Sequence, residues 1–223
     1  MNRASITVTA TEAPNTLKEK KNIMKSTTRT ARLGTFQPVL WSLLVVFASA
    51  CAQPEQSPVE TTGAEDVLAP VLITEKTAVD SDDPAIWINP DDPTQSLILG
   101  TDKGGSVFVF DLDGKIMPEK TAGGMGRMNN IDVAYGFPLG GETIDIALAT
   151  DRNEEKIRIF RLPDMTPIDG GGIPTFVGEE DDRRAMGLAI YTRPSDGAFF
   201  VIVSRKFGVS GAYLWQYLLE DAG

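Results

Sequence analysis

From about residue 82 the chain falls into short runs rich in Val, Ile, Phe, Leu and Tyr, alternating with polar residues or wholly apolar. Each run is closed by Gly, Pro, Asp or Asn. That period of two, punctuated by turn formers, predicts β-strands, and no stretch carries a convincing helical repeat. The strands come in three sets of three: Ala85–Asn89, Leu97–Thr101 and Ser106–Leu112; Ile131–Tyr135, Thr143–Thr150 and Lys156–Leu162; Gly187–Thr192, Ala198–Ser204 and Ala212–Leu218. One set recurs about every 50 residues, which is the period of a propeller blade. Asp113-Gly114, Gly140-Gly141 and Pro194-Ser195-Asp196-Gly197 supply hairpin turns. The expectation is an all-β fold, a partial β-propeller with about three blades.

Each second strand ends alike, in Thr101-Asp102-Lys103, Thr150-Asp151-Arg152 and Ser204-Arg205-Lys206: a small hydroxyl residue, a polar one, then a cation. If the sets are blades, Lys103, Arg152 and Lys206 occupy equivalent places on one rim. In an antiparallel pair the start of the first strand lies beside the end of the second. Asp82-Asp83-Pro84 and Asn129-Asn130-Ile131-Asp132, which open two of the first strands, therefore share that rim. Oxygen ligands without histidine or thiolate suit Ca²⁺, which takes six to eight oxygens. The cations beside them suit phosphate, lysines as point charges and Arg152 as a bidentate fork. The expected ligand is a small, densely charged phosphate ester. Taken singly, Asp-Asp-Pro and Asn-Asn also serve as ordinary turn residues, and Glu179-Glu180-Asp181-Asp182 reads as an exposed loop.

Composition changes the picture at the N-terminus. The 223 residues include 31 acidic and 21 basic side chains, one cysteine and no histidine. Lys25, Arg29 and Arg32 precede the apolar run Leu40–Phe47 and the small residues Ala48-Ser49-Ala50, the layout of a signal peptide. The run is shorter than the roughly 20 residues of a membrane-spanning helix. Cys51 follows directly, as in a bacterial lipobox, although Ala48 stands where leucine is usual; lipidation of Cys51 and ordinary cleavage leaving a free thiol are the two readings. Met24 is a candidate for the true start. The chain thus divides into a leader over 1–51, a flexible tether over 52–70 and a propeller portion over 71–223, exported to the periplasm, cell exterior or outer membrane. Residues 52–223 hold 14 basic and 29 acidic side chains, a formal charge of −15. That balance argues against nucleic acid as a partner, and allows a membrane only through a lipid anchor.

Asp82-Asp83-Pro84-Ala85-Ile86-Trp87 resembles the opening signature of the β-propeller phytases, and an ordered series of further matches follows. These are Gly100-Thr101-Asp102-Lys103, Val109–Lys115 (VFDLDGK), Met128–Val133 (MNNIDV), Phe137-Pro138-Leu139, Asp145-Ile146-Ala147 and Asp151-Arg152. The resemblance implies a secreted, calcium-dependent 3-phytase-type phosphatase acting on inositol hexakisphosphate. It implies that Asp83 and the carbonyls of Pro84 and Ile131 bind calcium, with Asp82, Asn129, Asn130 and Asp132 around them. Lys103, Arg152 and Lys206 would hold substrate phosphates, and a calcium-activated water, rather than a side chain, would be the nucleophile. The absence of histidine and the position of the lone Cys51 in the leader are out of keeping with histidine, cysteine and zinc phosphatases.

Three departures from the family pattern qualify these expectations. Met186 stands where a phosphate-contacting tyrosine is usual, and Gly104 replaces a second lysine after Lys103. The family's propeller has six blades, so the chain is expected to be a fragment that stops inside the third, marginal or unfolded alone. The alternative function is a non-catalytic, lipid-anchored propeller that binds a ligand or partner.

Overall fold

The computed structural model describes residues 6–10, 68–179, 182–208 and 213–222. Most of the leader, Cys51 included, and most of the tether lie outside the described residues. The chain divides into two units, 1–13 with 70–223 and 14–69; of the second only Leu68 and Ala69 are described, both exposed. Among the described residues no helix is long and apolar enough to cross a membrane.

The larger unit is all-β, and its three main sheets are the three predicted sets. Strands β2 (Ser81–Trp87), β3 (Leu97–Asp102) and β4 (Ser106–Phe110) form the first antiparallel meander. Strands β5 (Met128–Leu139), β6 (Glu142–Asp151) and β7 (Lys156–Leu162) form the second, with the two-residue strands β8 (Thr166–Pro167) and β9 (Ile173–Pro174) against β7. Strands β10 (Ala185–Thr192), β11 (Phe199–Arg205) and β12 (Leu214–Asp221) form the third. This fits part of a β-propeller, one meander to a blade. Gly140 and Gly141 close the β5–β6 hairpin with φ of 63° and 83°, the two positive values that a tight hairpin turn with the twist of its strands requires.

The sheets stack face to face in chain order, and β6 shows why its sequence is apolar without alternation. Ile144, Ile146 and Leu148 pack toward the third sheet with Phe137, Phe199, Val201 and Leu219. Ala147 and Ala149, on the opposite face, pack toward the first sheet with Trp87, Leu97, Leu99 and Val109. A strand buried on both faces needs apolar residues at every position. The small alanines on one face let the first sheet approach closely. Truncating a buried leucine such as Leu148 in such a stack costs about 2–5 kcal/mol.

One strand lies within the leader span read from the sequence. Ile6–Ala10 (β1) pairs antiparallel with β12, Ile6 opposite Asp221 and Val8 opposite Leu219. The physical reason is the unpaired edge of β12, whose free N–H and C=O groups accept any extended apolar–polar alternating strand, and Ile-Thr-Val-Thr-Ala is one.

At one end of the stack, a repeated hydrogen-bond pattern joins the sheets. The Thr101 hydroxyl accepts from the Asp83 amide at 2.9 Å, the Thr150 hydroxyl from the Asn130 amide at 3.0 Å and the Ser204 hydroxyl from the Gly187 amide at 2.7 Å. Two of these hydroxyls also donate across to the next sheet, Thr101 to the Asn129 carbonyl at 2.6 Å and Thr150 to the Met186 carbonyl at 2.8 Å. Thr150→Val, which strands a donor and an acceptor at the seam, is expected to destabilise the chain by about 2–4 kcal/mol in urea titrations. Ser204→Ala, which removes the acceptor of the Gly187 amide and a long 3.5 Å bond to the Gly187 carbonyl but no bond to another sheet, should cost about half as much.

Candidate functional site

The rim begins with a backbone irregularity that recurs in each sheet. Ser81 pairs with Asp102, Met128 with Asp151 and Ala185 with Arg205, and in each case the register then slips before Pro84, Ile131 and Leu188. The slips are β-bulges, which bend a strand and re-aim its side chains. The bulged pairs are Asp82-Asp83, Asn129-Asn130 and Met186-Gly187. The first two were expected to open their strands; the bulge instead carries them inside longer ones, held there by the threonine hydroxyls.

The cation register is as the sequence predicts. The amides of Lys103, Arg152 and Lys206 donate to the carbonyls of Asp80, Arg127 and Arg184, each at 2.9 Å. The three cations therefore hold equivalent positions at one end of three neighbouring sheets. Their surroundings differ. The Lys103 ammonium lies 2.6 Å from Asp80 and 3.8 Å from Asp82, and its pKa is raised, chiefly by the Asp80 hydrogen bond. Arg152 and Lys206 have no ion pair within 4 Å among the described residues. Lys206 rests 4.8 Å from the Phe207 ring centroid. Its pKa is lowered, first by desolvation and then by repulsion from Arg152 and Arg184, with Arg127 adding to it and Asp182 opposing.

Buried carboxylates fix the loops that lead into the rim. Asp102 accepts from the amides of Val79, Asp80 and Gly104 at 2.7–3.0 Å. Burial alone would raise its pKa, but these bonds and the Thr77 hydroxyl hold it below the usual carboxylate range. Asp151 does the same work in the second sheet, accepting from Gly126, Arg127 and Glu154. In the third repeat the equivalent residue is Arg205, and the polarity reverses. Its guanidinium, with no exposed side-chain surface, donates to Glu179 and to the Asp182 carbonyl.

The predicted oxygen ligands share the rim but are partly committed to holding the sheets together. One oxygen of Asp83 accepts the Ile131 amide at 3.0 Å, across the first seam. Asp132 uses both oxygens, on the Val133 amide and, across the second seam, on the Ile190 amide, each at 2.8 Å. Pro84 pairs with Gly100 and Ile131 with Ala149 within their sheets. The Asn129 side-chain amide donates to Asn130 Oδ1 at 2.7 Å. Among the described residues, no three or more acidic, histidine or cysteine side chains gather where one ion could be shared.

Two orphaned atoms stand out. Among the described residues, the buried side-chain polar atoms with no hydrogen-bond partner are Asn129 Oδ1 and Arg127 Nε. Native proteins rarely leave such atoms unpaired, and these two lie two residues apart at the rim. Asn129 is 4% exposed. Arg127 and Arg184 were missed in the sequence. The signal was present, since both stand two residues before the bulge, where the first repeat has Asp80, but only knowledge of the bulge aligns them.

Comparison with known proteins comes to the same place. The sequence profile of the Phytase family matches residues 35–223. The 3-phytase of Bacillus subtilis (strain 168) is 32% identical over 198 residues, which cover 87% of this chain and 49% of that protein. The chain therefore spans about half the length of that relative. A solved structure, the computationally designed Ika4 protein, overlaps 70% of this chain and 99% of its own at 11% identity and a TM-score of 0.33, a likeness too loose to carry any argument. The family match over most of the chain and the repeated, cation-bearing rim agree: this chain belongs to the β-propeller phytase family.

Proposed function

We propose that the rim binds a phosphate monoester and that the protein hydrolyses inositol hexakisphosphate with the help of Ca²⁺. The observation that supports this best is the pair Arg152 and Lys206, in register on adjacent sheets and with no ion pair within 4 Å among the described residues of an acidic chain. Hydrolysis breaks the ester P–O bond, places a water oxygen on phosphorus and returns a proton to the ring hydroxyl. Negative charge builds on the phosphoryl oxygens during that exchange, and fixed cations stabilise it without having to reorient. Arg152 offers two parallel N–H donors to one phosphoryl group, while the Lys206 ammonium adds a point charge. Lys103, already tied to Asp80 and Asp82, contributes less unless an incoming phosphate displaces them.

The residues present fit part of a calcium site. Asn129 Oδ1 is a buried acceptor in want of a positive partner, beside an Asp83 whose second oxygen has no bond among the described residues, and all nearby donors are oxygen. A hard cation prefers that chemistry. Asp82, Asn130 and the carbonyls of Pro84 and Ile131 are the remaining candidates, and Asp132, with one amide on each oxygen, keeps one lone pair per oxygen for a cation. When bound, calcium supplies charge to offset the ester's own and acidifies water for attack. Export, with a lipid on Cys51, remains part of the proposal on the strength of the leader motif.

A second reading, ligand binding without hydrolysis, is favoured by Met186 at the third bulge and by the structural commitment of Asp132. Phosphate release from inositol hexakisphosphate by the full chain, with added Ca²⁺ and then with excess chelator, separates the two. Calcium-dependent release is expected; binding of the hexakisphosphate with no release under either condition would establish the second reading.

Stability measurements add an independent check. A lysine whose folded pKa lies below its unfolded value carries a destabilisation at neutral pH, relieved only as alkaline pH approaches the ordinary lysine range. Lys206→Met is therefore expected to raise Tm, with only the part due to repulsion from Arg152, Arg184 and Arg127 shrinking as salt is added, while weakening binding of the hexakisphosphate. Asp182 is held down to about 2 by its Arg184 partner. The contribution of Asp182 is complete above its ordinary pKa and is lost as pH falls toward 2. The Tm gap between the parent and Asp182→Asn should accordingly close on acidification below pH 4.

A further inference from the structure

We propose that the outward faces of the first and third sheets form a docking surface for a second copy of this chain, the third sheet of each protomer lying on the first sheet of its partner. Alternation along the strands assigns the faces. Pro84, Ile131 and Leu188 hold equivalent places just past the three bulges. Three residues further on stand Trp87, Ala134 and Tyr191. Trp87 packs toward the second sheet and Ala134 toward the third, so Tyr191 faces the side on which a following sheet would lie, and it is 47% exposed. Two residues past the same reference stand Ile86, Val133 and Ile190. Val133 packs toward the first sheet and Ile190 toward the second, so Ile86 faces out of the stack at its other end, and it is 57% exposed. The faces extend beyond these residues. Ile98 lies opposite Ile86 in the ladder, and Phe200 and Leu218 continue from Tyr191 across the third sheet. Strand β1 borders the edge of β12 and leaves both faces open.

A stack whose end sheets meet water carries polar outer faces on them, and these two are apolar. Continuity with the interfaces inside the stack says what covers them. Each internal interface buries the following side of one sheet against the preceding side of the next, and the third and first sheets offer those two sides. The seam hydroxyls give a second, independent sign. Thr101 and Thr150 each donate to the carbonyl of the first bulge residue of the next sheet, Asn129 and Met186. Ser204 accepts its own bulge amide in the same way, but its proton finds only the Gly187 carbonyl of its own sheet, at a long 3.5 Å. The residue equivalent to Asn129 and Met186 in the first sheet is Asp82, so a partner's first sheet brings the missing acceptor to Ser204. Unlike faces that meet head to tail close into a ring when the rotation allows it. Propellers hold about four to eight blades, a range that units of three sheets reach as a pair of copies.

Sedimentation of the full chain tests this without phosphate or calcium, so the result does not depend on the phytase reading. The parent is expected at twice its 24.1 kDa chain mass, with a Tm that rises with protein concentration. Ile86→Lys and Tyr191→Glu, each at an exposed position of the single copy, should each weaken pairing by about 100-fold or more, because each sets a charge into both junctions of the pair. Mixing the two variants should restore it. One junction of the mixed pair is unaltered, and the other brings the two opposite charges together. Recovery on mixing also shows that both variants fold; should Ile86→Lys not fold, Ile88→Lys, at another 57% exposed position just beyond β2, takes its place. A pair that survives either substitution overturns the proposal. So does a pair lost in one variant only and not recovered on mixing, which is the behaviour of like faces meeting. Assemblies that keep growing with concentration overturn the closed pair. A parent of single-chain mass with a concentration-independent Tm overturns the proposal as well, and leaves the two faces to a partner of different sequence.

Discussion

The interaction on which this structure depends is a hydroxyl shared between two sheets. Thr101 and Thr150 each accept an amide from the bulge of their own sheet and donate to a bulge carbonyl of the next. A bulge removes residues from the ladder, and its backbone groups need partners from elsewhere. Serving both bulges with one hydroxyl sets the spacing and the register of adjacent blades at once. Side chains carried by the bulges, Asp82-Asp83 and Asn129-Asn130, are placed to within a hydrogen bond by the same contact. Ser204 repeats the first half of the arrangement, so the third sheet presents the same rim.

A second layer holds the loops that precede each bulge. Asp102 and Asp151 are buried at 0% and 1% exposure and each accepts three backbone amides, so each carboxylate is satisfied without a cationic partner. This matters electrostatically. Because the two aspartates are satisfied by backbone, they do not consume Arg127 or Arg152, and the rim keeps its positive charge inside an acidic protein. In the third repeat an arginine takes the aspartate's place and turns toward Glu179 and the Asp182 carbonyl. The same position can be filled with either charge because what it must satisfy is the loop, donor or acceptor as the loop requires.

Strand positions were legible because burial dictates them. Lys156–Leu162 matches β7 at both ends, and most other predicted strands differ by one to four residues at a boundary. The cation register was legible too, since Thr-Asp-Lys, Thr-Asp-Arg and Ser-Arg-Lys end their strands at the same turn. The bulges were not. Asp-Asp-Pro and Asn-Asn look like turn residues, and nothing local distinguishes a polar pair that ends a strand from one that interrupts it. Without the bulge the equivalence of Asp80, Arg127 and Arg184 is invisible, and the unpaired arginine went unnoticed. The seam duties of Asp83 and Asp132 were hidden for another reason: their acceptors serve amides 48 and 58 residues away, contacts that no periodicity encodes.

These duties bear on what kind of site the rim can be. A carboxylate already bonded across a seam is oriented before any ligand arrives, which lowers the cost of organising a cation or phosphate there. The same bond limits how far it can move, so Asp132 would join a coordination sphere only from where the seam holds it, through the lone pair each oxygen keeps. The free capacity of the rim therefore resides in the Asn129 amide oxygen and the second Asp83 oxygen on one side, and in Arg127, Arg152 and Lys206 on the other. An acceptor and donors left open within a few residues of each other call for a ligand that brings both signs. An anionic phosphate ester carrying a hard cation does so, and neither component alone would satisfy the whole rim.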